Sequence, residues 1–239
     1  MPPDRNPLPF TPRPSPGGGE FEGFDVLGTA HFTRRSVGEA VAAASSERYS
    51  SVSIELDKQR FDELNATSLN APRSIRAIAE GEFVAASDAF GNRDGDIWLI
   101  DIALGEIRSR IAPTLTASEL RVWNEVSSRL APYETAGIRL WEAGNEREAM
   151  RYLGWTTRAM ERFSPTLHRA LIEERNVIMA ARLMEIAGVT KGKGLVLVGK
   201  AHVLGLGRLL AEPARIAEGF ERYGLNYSPP VRVRRARVN

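Results

Sequence analysis

The sequence predicts an α/β fold, a mostly parallel central sheet flanked by helices, with a helical insertion before the last core strand. Three observations carry this expectation. Four short apolar runs, Phe24 to Leu27, Val52 to Leu56, Ile97 to Ile100 and Leu195 to Val198, are bounded by glycine or polar residues and read as buried strands. Helical patterns with their own start signals lie between them, and strand-helix-strand order favours parallel strands covered on both faces. From about Thr116 to Ala187 no strand pattern occurs, so that stretch reads as all-helical.

In chain order, residues 1–22 are rich in Pro and Gly and poor in periodic apolar positions, and read as a disordered or extended arm. Residues 23–239 are left as a single domain. After the first strand, Ser36-Val-Gly-Glu39 is a capping box ahead of an Ala-rich helix. Thr116-Ala-Ser-Glu119 is a second, ahead of Leu120, Val122 and Trp123. Ser164 and Pro165 pair an N-cap with proline at the first helical position, which opens a helix expected to run to about Ala187 and stop at Gly188. "GVTKGKG" then reads as a turn, since it lacks the spacing of a phosphate loop and precedes a strand where such a loop follows one. Residues 229–239 form a basic tail in which Val and Arg alternate from Val231, as in an edge strand with its arginines facing water.

Composition narrows the function. At 239 residues, 43% hydrophobic and 26% charged, the chain is long enough to bury one substantial core. Its 32 Lys and Arg against 30 Asp and Glu leave a net charge of +2, too small an excess to imply a nucleic-acid partner. The absence of cysteine excludes disulfides, zinc-thiolate sites, iron-sulfur clusters and a cysteine nucleophile, so any metal is held by nitrogen and oxygen. No signal-peptide core and no run of about 18 apolar residues is present, so a cytoplasmic location without membrane association is expected. Without a Gly-x-Ser-x-Gly elbow, a serine hydrolase has little support.

Two of the three histidines share one setting. Gly28-Thr-Ala-His31 lies just past the first strand and Gly199-Lys-Ala-His202 just past the last. Glu55 and Asp57 close the second strand, and Asp101 closes the third. In an open parallel sheet the carboxyl ends share one edge, where ligands bind, so all five side chains are expected to converge. A lone histidine after a strand is ordinarily a hydrogen-bonded structural residue; repetition of the setting is what argues for ligands. Two imidazoles with two or three carboxylates suit Mn, Co, Fe or Zn, the less thiophilic metals being favoured. Gly28 and Gly199 are expected to let the chain turn sharply off the strand. His168, in the first turn of a predicted helix, reads as a surface or packing residue.

"GTAH", "VSIELDKQR", "LIEERNVIMAARL" and "LVLVGKAHVLGLG", in this order, resemble the successive blocks of the TraB/PrgY family, which is similar to the TIKI metalloproteases. The resemblance runs from about Phe24 to Leu210. It implies a fold like that of the erythromycin esterase and ChaN proteins, with paired Gly-x-x-His motifs holding a divalent metal, Mn or Co before Zn. TIKI-like relatives imply metal-dependent peptide hydrolysis; PrgY-like relatives imply lowering the activity of a peptide pheromone by a route that need not be proteolysis. Carried over residue by residue, Gly28 and His31 fall on the first motif and Gly199 and His202 on the second. Glu55 falls on the acidic position after the second strand, Arg60 on the basic one five residues on, and Glu174 with Arg175 on the late Glu-Arg pair. Two departures stand out: Lys200 replaces a small residue, and the C-terminal membrane region of many relatives has no counterpart in "PPVRVRRARVN".

The chemistry that follows is an expectation. A metal on His31, His202 and Glu55 activates water, Glu55 or Glu174 takes the proton, and Arg175 or Lys200 stabilises the oxyanion formed from a peptide or small acyl substrate. Asp101 supports the site. Glu174 and Arg175, adjacent on a helix and about 100 degrees apart, each need a separate partner. The alternative is a module that binds a peptide or a metal without turnover. The sequence leaves homo-oligomerisation open.

Overall fold

A computed structural model describes residues 23–31, 33–70, 81–91 and 95–233, with backbone alone at 67–70. Strands β1 (Phe24–Thr29), β2 (Ser51–Ile54), β3 (Asp96–Leu99), β4 (Gly194–Gly199) and β5 (Val231–Val233) form one sheet in the order β1-β4-β2-β3-β5. The first four are mutually parallel and β5 runs antiparallel to β3. The four strands expected from the apolar runs are therefore present, and the first and last of them are neighbours.

Helices cover both faces. On one lie α1 (Arg34–Ala44), α2 (Lys58–Asn70) and α3 (Gly81–Gly91); on the other lie α4 (Leu104–Ile111), α8 (Glu174–Val189), α9 (Lys200–Ala211) and α10 (Ala214–Tyr223). The two-residue period of β4 divides the core. Leu195 and Leu197 join Ala40, Phe61, Phe83 and Phe90, whereas Val196 and Val198 join Ile178, Leu183, Leu206 and Phe220. Each such buried side chain contributes about 1.5–3 kcal/mol relative to exposure, which is what holds a parallel sheet between two layers of helix.

Between α4 and α8 the chain is helical throughout. Helices α5 (Ala117–Glu142) and α6 (Glu146–Phe163) form a hairpin, and a short turn α7 (Pro165–His168) leads through a π-helical stretch, Arg169–Glu173, into α8. Gly144, at φ +82, makes the hairpin bend. The hairpin tip docks on the sheet edge: Trp141 is buried with Ala30 and Ala149, and the Glu142 carboxylate accepts from the N–H groups of Arg34 (2.7 Å) and Arg35 (3.1 Å), capping α1. Of this helical region, α8 belongs to the sheet core and only α5 and α6 stand apart as a pair.

The helix ends differ from expectation in instructive ways. Thr33, not Ser36, caps α1. Ser36 Oγ is taken by tertiary bonds, accepting from the N–H of Ala30 and from Trp141 Nε1, both at 3.0 Å. Thr116 caps α5 as predicted, but Glu119 reaches forward to Ser164 Oγ (2.9 Å) and the N–H of Thr166 (2.8 Å) and so ties α5 to α7. Helix α8 runs past Gly188 to Val189, and the chain turns at Gly192, φ +90, within the predicted turn. Val233 is buried and Arg232 lies over the Trp98 ring and pairs with Asp96, the edge-strand arrangement. The expected arm, residues 1–22, and the tail beyond Val233, with Arg234, Arg235 and Arg237, lie outside the described residues. Among the described residues no helix is long and apolar enough to cross a membrane.

Candidate functional site

Register brings the two Gly-x-x-His segments together. In the β1–β4 pair Gly28 faces Val198 and Thr29 faces Gly199, so His31 and His202 leave the same edge from adjacent strands. Glu55 enters from β2 on the other side of β4. Its Oε2 accepts from the N–H of Gly199 at 2.6 Å, and its Oε1 lies 3.2 Å from His202 Nε2.

The glycines act by leaving space. Gly199 has φ −59 and ψ 144, which any residue adopts, and neither it nor Gly28 has a positive φ. A Cβ on Gly199 would lie 2.6 Å from His31 Nε2 and 3.5 Å from Glu55 Oε2; one on Gly28 would lie 2.5 Å from Val203 Cγ2 and 2.8 Å from Lys200 Cδ. The sharp turn expected of them is therefore replaced by close approach of side chains to bare backbone.

Both imidazoles are held by their Nδ1 atoms. His31 Nδ1 donates to Glu82 Oε1 at 2.6 Å, and the same oxygen accepts from Thr29 Oγ1 at 2.8 Å. His202 Nδ1 faces Asn176 Oδ1 at 2.7 Å. With Nδ1 of each ring set on an oxygen, Nε2 of His31 lies beside Gly199, and Nε2 of His202 lies 3.2 Å from both Glu55 Oε1 and Arg175 Nη1. Burial pushes the His31 pKa down, but its bond to Glu82 and the charges of Glu55 and Glu82 outweigh this and leave it above the ordinary 6.5.

Arg175 is the hub. Its Nε donates to Asp101 Oδ1 (3.0 Å), Nη2 to Asp101 Oδ2 (2.6 Å) and to Glu55 Oε1, and Nη1 to the Leu171 carbonyl (2.9 Å) and toward His202 Nε2 (3.2 Å). Four of its five donors are thus committed to Asp101, Glu55 and the Leu171 carbonyl, and the fifth points toward His202 Nε2. Arg60 adds a second layer, donating to Asp101 Oδ2 at 2.5 Å and pairing with Asp57, which in turn caps α2 through the N–H groups of Gln59 and Arg60. Burial pushes the Glu55 carboxyl up, yet the charge and hydrogen bond of His202, then Arg175 and His31, hold it well below the usual carboxylate range. Asp101 is likewise pushed up by burial and pulled further down by Arg175.

The remaining expected residues lie elsewhere. Glu174 turns away from Arg175 to Arg110 (Nε, 2.5 Å) and Arg169 (Nε, 3.1 Å). Lys200 Nζ sits 4.5 Å from the Trp141 ring centroid and donates to Glu146 Oε1 at 2.9 Å. His168 Nδ1 lies 3.7 Å from Glu173 Oε1. Glu82 and Asn176 escape a sequence reading, although each carries a signal: Glu82 directly precedes the apolar Phe83-Val-Ala-Ala86, and Asn176 ends a polar run before Val177-Ile-Met179.

In donor chemistry the set fits a divalent first-row cation: two Nε2 atoms and a carboxylate, with both Nδ1 atoms tied back to oxygens, as ligating histidines usually are. In spacing, no three His, Asp or Glu side chains among the described residues are gathered closely enough to hold an ion. Arg175 supplies the positive charge beside Glu55 and His202.

No solved structure matches the chain significantly. It is 24% identical to an uncharacterized protein of Methanocaldococcus jannaschii, over 77% of this chain and 52% of that one, so it spans about half the length of the curated relative it matches. Residues 118–215, which hold Glu174, Arg175, Gly199 and His202, match the model of the TraB/PrgY/gumN family, and in that stretch the chain is similar to this family.

Proposed function

We propose that this is a TraB-family hydrolase acting on peptides or small acyl compounds with the help of a divalent cation. One observation carries the reading: two imidazoles from distant parts of the chain, each fixed at Nδ1, come to the same end of β4, His202 against the Glu55 carboxylate and His31 on the other side of Gly199. His31, His202 and Glu55 are the residues that would hold the cation, Mn or Co before Zn. When bound there, such an ion lowers the pKa of water toward neutrality and polarises a carbonyl. Glu82 and Asn176 fix the ring tautomers and aim the Nε2 atoms. Arg175, satisfied internally, locks Glu55 and Asp101 in place. The side chain of His31 is 43% exposed whereas those of His202 and Glu55 are each 4% exposed, so a substrate reaches the cluster past His31. Glu174, committed to two arginines on another side of α8, lies too far from the cluster to serve as its general base.

Binding without turnover is the second reading, and a specific observation favours it. Arg175 already neutralises Glu55, and the three expected ligands are not drawn into a closed shell. Elemental analysis of purified protein, then peptide-library cleavage with Mn, Co or Zn added back, separates the two. Stoichiometric metal with metal-dependent cleavage supports the hydrolase. Metal without cleavage supports a metal-binding module, and no metal under any loading overturns both metal readings.

A further inference from the structure

Away from the histidines, on another side of α8, the π-helical stretch opens a cleft. Two adjoining depressions of about 410 and 450 Å³ share Arg169, Arg222 and Tyr223 in their walls. Arg110 and Glu174 complete one, and Glu173 lines the other. This is the size range of sites for small molecules.

The charge in it is unbalanced. Glu174 is shared by Arg110 and Arg169, so one carboxylate serves two guanidiniums. Arg169 Nε is buried and 3.1 Å from Glu174 Oε1, yet makes no directed hydrogen bond. Arg222 lies over the Tyr223 ring, 5.3 Å from its centroid, and among the described residues no carboxylate pairs with it. Glu173 is engaged by the Tyr223 hydroxyl at 2.9 Å. Three guanidiniums thus face two carboxylates, both already bonded. The extra residue of a π turn sets these groups around a gap rather than against one another, and such turns recur at functional sites.

We propose that the cleft binds an oxyanion, a carboxylate or phosphate group of a small molecule, with Arg222 and Arg169 as its principal donors. Forked N–H groups match the paired oxygens of either group, and stacking on Tyr223 holds Arg222 ready without a competing acid. Arg110 is the base of the site: its Nη2 donates to the Tyr223 carbonyl at 2.8 Å and ties α4 to the end of α10.

The test uses the full chain and calorimetric titration at low salt with inorganic phosphate in one arm and acetate in the other, and sodium chloride of matched ionic strength as blank. Saturable binding of one anion is expected, and the stronger arm names the group. Arg222→Ala should weaken it by about tenfold or more, since a charge-assisted fork is lost, while Arg208→Ala, an exposed arginine on α9, should leave it unchanged. Arg222→Lys, which keeps charge and loses the fork, should fall between. Because Arg222 is exposed, its variants are expected to fold, and a melting curve checks this. No saturation by about 10 mM anion overturns the proposal, as does equal weakening by Arg208→Ala. The readout is binding alone, so failure here leaves the proposed hydrolase standing.

Discussion

Replacing Arg175 by Met keeps the length of the side chain and removes its charge. Glu55 and Asp101 then lose the guanidinium that each contacts, and both are buried, so the penalty is that of leaving charge unpaired in the interior. Breaking a buried pair by removing one partner costs about 3–5 kcal/mol. The upper half of that range is blunted here: Asp101 keeps Arg60, and Glu55 keeps the Gly199 N–H and His202. For a domain of this size the remaining loss, about 3–4 kcal/mol, corresponds to a fall in Tm of roughly 6–16 °C. Urea unfolding at pH 7, beside Arg129→Met at an exposed helix pair expected to change stability by less than about 0.5–1 kcal/mol, measures the contrast. The pH profile adds a second check. The Asp101 pKa is depressed below its usual 3.8, so its contribution is fully present above that value and is lost as pH falls through the folded pKa. The variant, lacking most of the depression, should show a flatter loss of stability below pH 3.8 than the wild type. A penalty at pH 7 of less than about 1 kcal/mol would refute the claim that Arg175 is the hub.

Other outcomes follow from single contacts. His31→Ala and His202→Ala should each remove most bound metal and the double variant should remove little more, whereas additive stability losses with unchanged metal content would end the metal reading; His168→Ala should match wild type in both assays. Gly199→Ala puts a methyl 2.6 Å from His31 Nε2, so metal uptake should fall as in His31→Ala, with an overpacking cost of about 1–3 kcal/mol in unfolding experiments. Glu82→Gln removes the charge behind His31 Nδ1 and should lower metal affinity about 10–100-fold while His31 stays in place; unchanged affinity would show that Glu82 only packs.

The strands and their carboxyl-edge residues were legible because apolar runs and the residues that follow them are local patterns. That His31, Glu55, Asp101 and His202 leave one edge follows from parallel order alone. What was not legible depends on pairs distant in sequence. Glu82 meets His31 across 51 positions, and no periodicity marks either residue. The saturation of Arg175 needs Asp101, Glu55 and Leu171 together, which a helix pattern cannot supply. Ser36 had the credentials of a cap and lost that role because Ala30 and Trp141 claim its hydroxyl. Glu174 and Arg175, neighbours in sequence, were correctly expected to have separate partners, because the helical angle between them is a local fact.

Strand order has a consequence for assembly. β4, the fourth strand in sequence, sits between β1 and β2, so the two earlier strands are joined only through it. Emerging from the ribosome, the chain carries β1, β2 and the residues His31 and Glu55 long before Gly194–Gly199 is made, with both strands lacking their shared neighbour. Pairing over such separations carries a large loop-closure cost and makes folding slow. Until that insertion, exposed strand edges invite association with other chains, so truncation before β4 is expected to yield aggregates rather than a folded half-domain. The meeting of the two Gly-x-x-His segments and the joining of the parallel strands are therefore one event, set by the arrival of a single six-residue strand.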